Sequence, residues 1–208
     1  TDYFLDKAEA LANKLGCCVA ADNAEVVRNA RYIMLGVRPQ VLGSVLKSIS
    51  PVLKECIEAG KPRVLVSMAA GVTVENIKKN LDVELPIIRI MPNTSVSIGK
   101  GMILLTSDTK WQRSVKSSLM SLFPLCMLPA SLTTSLRGGI DEATVATGCT
   151  PAYAYMFIEA LADGAVMTGV PRDKAILYTA QAVLGAAAMV METGLHPGAL
   201  KDSVCSPG

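Results

Sequence analysis

The first hundred residues alternate between two hydrophobic patterns. Apolar residues recur at helical spacing over residues 2–15 and 41–57, and short continuous apolar runs lie between the helical stretches. Such short runs are typical of strands that are buried on both faces of a sheet. Because strands and helices alternate, the chain is predicted to form a parallel sheet with crossover helices. The predicted strands are Tyr32–Val37, Arg63–Ser67, Ile87–Met91 and Met102–Leu105.

Residues that favour helix ends support this alternation of helices and strands. Asp22 or Asn23 is predicted to cap a short helix that ends at Asn29, and Thr73 to cap one that ends at Asn80. The helix over 41–57 is expected to be interrupted at Ser50-Pro51, because proline lacks the backbone N–H that a helix needs.

The pattern changes after about residue 106, and no strand is predicted from Trp111 onward. A helix is expected over 111–123, and three more begin at prolines, with Thr150 as the N-cap of the first; these prolines are Pro151, Pro171 and Pro197. The chain is therefore predicted to be an α/β protein, with a sheet domain over 1–108 and an all-helical domain over 109–208.

Composition excludes several classes of protein. Half of the residues are apolar, which is incompatible with intrinsic disorder. The 20 Lys and Arg residues are balanced by 18 Asp and Glu, and only 4% of residues are aromatic. Because nucleic-acid binding requires a basic face, usually with stacking aromatics, no nucleic-acid partner is expected.

Cysteine and histidine usage predicts a cytoplasmic protein without a metal site. The six cysteines form no C-x-x-C pair, and His196 is the single histidine. We interpret the cysteines as reduced thiols and His196 as a surface loop residue.

The segment Ala175–Met191 carries no charge. A membrane span needs about 20 apolar residues, and this segment contains Tyr178, Thr179 and Gln181. Its alanines and glycine favour close helix packing in a core or a subunit interface, so no membrane partner is expected.

Small or proline-containing turns follow three of the predicted strands: 36–40, 68–73 and 91–94. The carboxyl ends of parallel strands lie at the same edge of a sheet, where open α/β proteins bind ligands. Each turn alone is typical of an ordinary strand-to-helix connection, but three together predict a ligand cleft.

The sequence contains no G-x-G-x-x-G loop between a strand and a helix. Either the protein binds no dinucleotide or the loop lies upstream of Thr1. The chain starts without Met and stops at Ser206-Pro207-Gly208, so both ends are expected to be cut. No Ser/His/Asp triad is present, and Glu159 and Asp163 are interpreted as a solvated pair on one helix face.

Five strings occur together in order and resemble the pyrroline-5-carboxylate reductase family: GVRPQ, VSMAAGVT, RIMPNT, GCTPAYAYMFIEALADGAV and HPGALKDSVCSPG. The resemblance implies a Rossmann domain that binds NADPH or NADH, followed by a helical domain that interlocks with a second subunit. It implies reduction of 1-pyrroline-5-carboxylate to L-proline, the last step of proline biosynthesis, by a homodimer or higher oligomer. The family's first strand and glycine loop would precede Thr1, and its substrate loop would continue past Gly208.

The resemblance also assigns site residues. The cofactor would contact Asn23, Gly36, Val37, Arg38, Pro39, Ala69, Ala70, Met91, Pro92 and Asn93. The substrate carboxylate would lie at the loop that begins with Ser203, Val204, Ser206, Pro207 and Gly208. No catalytic side chain is assigned, because the cofactor supplies the hydride and the imine nitrogen arrives protonated.

Two departures from the family pattern leave the substrate open. Thr150 stands where the family has glycine, and Arg137-Gly138-Gly139 stands where it tends to carry an acidic residue. The alternatives are a related Rossmann reductase with another substrate, or a non-catalytic dimerisation module. Hydroxyacid dehydrogenase relatives carry a catalytic lysine at the start of the helical domain, where this chain offers only Lys116.

Overall fold

A computed structural model describes residues 1–107, the backbone of 131–134, and residues 140–206. The chain divides into two compact units, Thr1–Gly148 and Cys149–Gly208. The predicted boundary between residues 108 and 109 and the predicted helix over 111–123 lie outside the described residues. The strand over 131–134 and the helix over 140–147 belong to the first unit.

In the part of the chain that the structure describes, five strands form one sheet in the order β1-β2-β3-β4-β5. β1 pairs with β2 and β2 with β3 in parallel, as predicted, but β4 is antiparallel to β3. A 3₁₀ helix over Thr94–Ile98 and a left-handed Gly99 join β3 to β4 without a crossover helix, so the chain reverses direction. The strands are β1 Tyr32–Leu35, β2 Val64–Ser67, β3 Ile87–Pro92, β4 Met102–Ser107 and β5 Ser131–Thr134.

The expectation of no strand after Trp111 is wrong. β5 pairs in parallel with β4, with Met102 opposite Ser131 and Leu105 opposite Thr134. Its sequence is SLTT, which lacks the apolar run or alternation that identifies strands from sequence.

The first unit contains five α-helices in the described residues, which we number in chain order together with those of the second unit. A short helix over 140–147 was not predicted. The helices are α1 Leu5–Leu15, α2 Asn23–Asn29, α3 Pro39–Glu58, α4 Val74–Lys78 and α5 Ile140–Thr147.

The predicted interruption of α3 at Ser50-Pro51 is wrong, because the helix continues through Pro51. A proline inside a helix removes one hydrogen bond, but α3 buries an apolar stripe that includes Leu42, Leu46 and Leu53. Packing of such a stripe supplies most of the stability of a helix in a protein.

The two faces of strand β1 differ in burial. On β1, Ile33 and Leu35 are buried, whereas Met34 on the opposite face is 49% exposed. The prediction that this strand is buried on both faces is therefore wrong. β1 is the edge strand of the described sheet, and only its Ile33 face packs against α2 and α3.

A buried arginine closes the end of α2. Arg63 donates from Nε to the Val27 carbonyl at 2.6 Å and from Nη2 to the Arg28 carbonyl at 2.7 Å. The last carbonyls of a helix lack partners inside the helix, so Arg63 satisfies two of them and fixes α2 beside β2.

Replacing Arg63 with Met is expected to lower the free energy of unfolding by roughly 2–3 kcal/mol, because two carbonyls lose charged donors. Urea denaturation followed by circular dichroism measures this loss. Lys61→Met, at an exposed neighbour, is the control, with a change within about 0.5 kcal/mol. Equal stability of the two variants would contradict the capping role.

The second unit is helical in its described residues, as predicted. It contains α6 Thr150–Met167, α7 Arg172–Thr193 and α8 Pro197–Val204. Cys149, and not Thr150, occupies the N-cap position of α6, and Pro151 lies in its first turn. α7 ends at Gly194, which adopts the left-handed conformation at φ 65°.

α7 is long and apolar enough to span a membrane by length and composition alone. Its most apolar window has a mean hydropathy of 1.4, and only 6% of that window is buried. Buried side chains on α7 are limited to Ala175 and Thr179. A helix with this composition requires a further apolar surface against which to pack.

Candidate functional site

The structure places the three predicted turns at one edge of the sheet. Leu35 at the end of β1 lies opposite Ser67 at the end of β2, and Ser67 lies opposite Arg89 of β3. Beyond these positions come the turns that begin at Gly36, Met68 and Asn93. Parallel sheets bind their ligands at this edge.

A cleft of about 890 Å³ opens beside the end of β1. Its volume lies within the range of small-molecule and cofactor sites. Four of the ten predicted cofactor residues line it, and Pro39 is the next residue along the chain. The lining includes Asp2, Tyr3, Phe4, Asn23, Gly36, Val37, Arg38 and Val41.

A reciprocal cap holds Asn23 at the cleft. The Asp22 carboxylate accepts a hydrogen bond from the Glu25 N–H at 2.7 Å, and the Glu25 carboxylate accepts one from the Ala21 N–H at 2.7 Å. This capping box fixes the first turn of α2. Asn23 is exposed there, so its amide is available to a ligand.

The turn after β1 brings the Gly36 backbone close to Met68 and carries the positive charge of Arg38. Gly36 is exposed, and a Cβ added to it would lie 3.4 Å from the Met68 methyl carbon. Arg38 is exposed at the N-cap of α3, and Pro39 is the first residue of that helix. The partial positive charge of a helix N-terminus and a guanidinium both favour an anionic ligand.

The turn after β2 is held by its own hydrogen bonds. The Ala69 N–H donates to Ser67 Oγ at 3.3 Å, and the Val72 N–H donates to the Ala69 carbonyl at 3.4 Å. Ala69 is buried and Ala70 is exposed. Both lie outside the lining of the cleft, as do Met91, Pro92 and Asn93.

Asn93 donates one hydrogen bond from its backbone and one from its side chain. Its N–H donates to the Met102 carbonyl at 3.3 Å, and its side-chain Nδ2 donates to the Thr147 carbonyl at 3.1 Å. Its Oδ1 is buried and has no hydrogen-bond partner among the described residues. A buried acceptor without a partner is unusual in a native protein, and a ligand donor could satisfy it.

The partner of Arg89 was not predicted from the sequence. This residue lies on β3 with 5% of its side chain exposed, and its Nη2 donates to Asp141 Oδ1 of α5 at 2.9 Å. An arginine within the apolar run IIRIM was the available signal, because a buried guanidinium needs a paired carboxylate. The partner is 52 residues away, and its position depends on the tertiary fold.

Gly101 makes the Asn93 turn possible. A Cβ at this position would lie 2.3 Å from Val96 Cγ1 and 2.7 Å from Asn93 Oδ1. We expect Gly101→Ala to lower the free energy of unfolding by roughly 1–3 kcal/mol, since overpacking displaces neighbouring atoms. Thermal denaturation measures this loss, and Gly43→Ala, whose added Cβ would be 3.4 Å from Asn80 Oδ1, is the control. A Gly101→Ala variant as stable as this control would contradict the close packing.

The predicted substrate residues lie in the second unit. Ser203 on α8 donates from Oγ to the Leu200 carbonyl at 2.7 Å, while Val204 and Ser206 are exposed. Pro207 and Gly208 lie outside the described residues, as does Arg137-Gly138-Gly139.

Two other predictions concern exposed side chains of the second unit. His196 is exposed, and its Nδ1 accepts a hydrogen bond from the Gly198 N–H, which caps α8. Asp163 pairs with Arg172 through an exposed ion pair. The described residues contain no group of three or more His, Cys, Asp or Glu side chains that could hold a metal ion.

Comparison with known proteins gives the family. Residues 138–208 match the family described as pyrroline-5-carboxylate reductase dimerisation. The chain is 39% identical over 203 residues to pyrroline-5-carboxylate reductase of Escherichia coli strain K12, covering 98% of this chain and 72% of that protein. The chain belongs to the pyrroline-5-carboxylate reductase family.

Further members of this reductase family agree in sequence and fold. Pyrroline-5-carboxylate reductase 3 of Xenopus laevis is 37% identical over 212 residues, covering 100% of this chain and 71% of that protein. The Coxiella burnetii reductase structure superposes with a TM-score of 0.84 at 30% identity, covering 100% of this chain and 74% of that one. The Plasmodium falciparum structure, with NADP bound, gives a TM-score of 0.79 at 29% identity, covering 92% of this chain and 70% of that one. The predicted family and fold class are thus confirmed.

Proposed function

We propose that this protein reduces 1-pyrroline-5-carboxylate to proline with NADPH or NADH. The observation that carries the proposal is the 39% identity to the E. coli reductase over nearly the whole chain. The turns at the carboxyl edge of the sheet are consistent with it, since a cofactor would bind there.

The described residues fit a nicotinamide dinucleotide at two points. The cleft beside β1 has room for part of such a cofactor, with the Asn23 amide and Arg38 guanidinium at its walls. The unpaired Oδ1 of Asn93 can accept a hydrogen bond further along the same edge. When bound, the reduced nicotinamide supplies a hydride.

We propose distinct tasks for the residues along this edge. Asn23 would bond the ribose, and the turn Gly36–Pro39 would pass beside the dinucleotide, with Arg38 facing its negative charge. The turns at Ala69-Ala70 and at Met91–Asn93 would hold the reacting end. Rigid turns of this kind keep reactants aligned, which can supply about 7–11 kcal/mol of the reduction in the activation barrier.

The substrate carboxylate would bind at the carboxyl end of α8, which contains Ser203 and Val204, and at the segment that follows it with Ser206, Pro207 and Gly208. Val204 is 83% exposed, so this end of α8 is open to a ligand. Backbone N–H groups suit a carboxylate because they are fixed donors. The cyclic imine is basic enough to arrive protonated, so the chain need not supply a proton to the nitrogen.

The dimerisation family indicates that the protein forms a homo-oligomer. We propose that α6 and α7 form the interface, because Tyr153, Phe157, Leu177 and Leu184 are each about half exposed or more in the single chain. A second copy would cover these apolar side chains. We further propose a cytoplasmic location, with no membrane or nucleic-acid partner.

The proposed function is tested with the purified complete gene product. Addition of 1-pyrroline-5-carboxylate is expected to oxidise NADPH, and the rate is followed by the loss of NADPH absorbance. An open-chain aldehyde or a 2-oxo acid in place of the cyclic imine is the control, for which no oxidation is expected. Oxidation with the 2-oxo acid but not with the imine would favour a relative with another substrate.

A further inference from the structure

Two side chains donate hydrogen bonds to helix α5: Arg89 on β3, and Asn93, the residue that follows β3. Arg89 donates to both carboxylate oxygens of Asp141 in the first turn of α5, at 2.9 and 3.4 Å. Asn93 Nδ2 donates to the carbonyl of Thr147, the last residue of α5. Arg89 and Asn93 are four residues apart in extended chain. Because alternate side chains of an extended chain share a face, these two lie on the same face.

α5 depends on these contacts for its position. It has eight residues, of which Ile140 is the buried one, and isolated helices of this length are unstable. The Arg89–Asp141 contact is bidentate and half-buried, which fixes direction as well as distance. Displacement of Asp141 would therefore move the carboxyl end of α5.

The orientation of the Asn93 amide depends in turn on that end of α5. The Thr147 carbonyl accepts the hydrogen bond from Nδ2, and Oδ1 has no partner in the described residues. An amide can rotate to exchange its donor and its acceptor. The Thr147 carbonyl selects the orientation in which Oδ1 remains free to accept.

We propose that Arg89 and Asp141 are positioning residues, which hold α5 so that its last carbonyl orients the Asn93 amide for the reaction. This inference rests on the proposed function for its kinetic consequence. Arg89 is buried and paired with Asp141, so both residues are assigned an effect through Asn93 and not a contact with the ligand.

The kinetic test compares Asp141→Asn, Asp141→Glu and a control, Glu142→Gln, in the complete gene product. Glu142 is the adjacent exposed acid of α5. Asp141→Asn is expected to lower kcat by about tenfold, since small misplacements of a reacting group are costly. The KM for NADPH is expected to change less than kcat does, because Asn23 and Arg38 at the cleft are unaltered. Asp141→Glu should recover most of kcat, and Glu142→Gln should retain all of it.

A double-mutant cycle separates positioning from a general structural role. In an Asn93→Ala background, Asp141→Asn is expected to cause no further loss of kcat, because the group that it positions is absent. The proposal would be overturned if the kcat losses of the two single variants multiplied in the double variant, or if they matched the fraction of unfolded protein. Equal kcat for Asp141→Asn and Glu142→Gln would also overturn it.

A second readout does not depend on activity. The side-chain amide resonance of Asn93 in a ¹H–¹⁵N spectrum is expected to shift in Asp141→Asn and to stay unchanged in Glu142→Gln. If the wild-type protein fails to reduce the imine, the proposed function is wrong, and this spectrum still decides whether Asp141 positions Asn93. An unchanged Asn93 resonance in Asp141→Asn would overturn the inference even in an active enzyme.

Discussion

Asn93→Leu is expected to lower kcat/KM for the imine by about a hundredfold, the loss that misplacement of a reacting group can cause. The stability of the fold should change little, because two effects oppose each other. Leucine removes the hydrogen bond to the Thr147 carbonyl, but it also removes the buried Oδ1, which has no partner in the described residues. Each effect is worth roughly 1 kcal/mol, of opposite sign.

Steady-state kinetics and thermal denaturation on the same preparation test this prediction. Asn29→Leu, at an exposed position at the end of α2, is the control and is expected to keep both activity and melting temperature. A large fall in the melting temperature of Asn93→Leu, with normal kinetics of the folded fraction, would show that this turn is purely structural.

Gly185→Leu is expected to weaken the oligomer. Gly185 lies on α7, and a Cβ at this position would meet no atom of the described residues within 4 Å, apart from the helix's own neighbouring backbone. Leucine is therefore tolerated by one chain, and any cost arises where a second copy packs against the helix. Overpacking typically costs roughly 1–3 kcal/mol at each such site, and each 1.4 kcal/mol raises the dissociation constant about tenfold.

Sedimentation velocity over a range of protein concentrations measures this effect. Gly185→Ala is the matched control, because one methyl group adds little volume, and it is expected to remain associated. A dissociation constant for Gly185→Leu equal to that of the wild type would place the interface away from this part of α7.

The sequence predicted the elements that rest on a strong local pattern. The apolar runs at 32–35, 64–67 and 87–91 all form strands. Those at 64–67 and 87–90 are buried throughout, as a continuous apolar run predicts. In the structure, α1 ends at Gly16 and α7 at Gly194, and both glycines adopt a positive φ that glycine tolerates without strain. The turns at the carboxyl edge followed from the parallel order of these strands.

Features that depend on tertiary contacts could not be predicted in this way. The direction of β4 is set by the short 3₁₀ connection after Asn93, and β5 pairs with β4 although Leu132 is its single apolar residue. The continuity of α3 through Pro51 depends on packing against the sheet. The Arg89–Asp141 pair joins segments far apart in sequence, so its partner could be found only in the folded chain.

Product analysis of the complete gene product with NADPH and 1-pyrroline-5-carboxylate shows whether this protein is the imine reductase. NADPH consumption and proline formation are measured in the same reaction, the first by absorbance and the second by chromatography. We predict one proline formed for each NADPH oxidised, and loss of both in Asn93→Leu. NADPH oxidation without proline, or no oxidation by a folded and associated protein, would contradict the assignment.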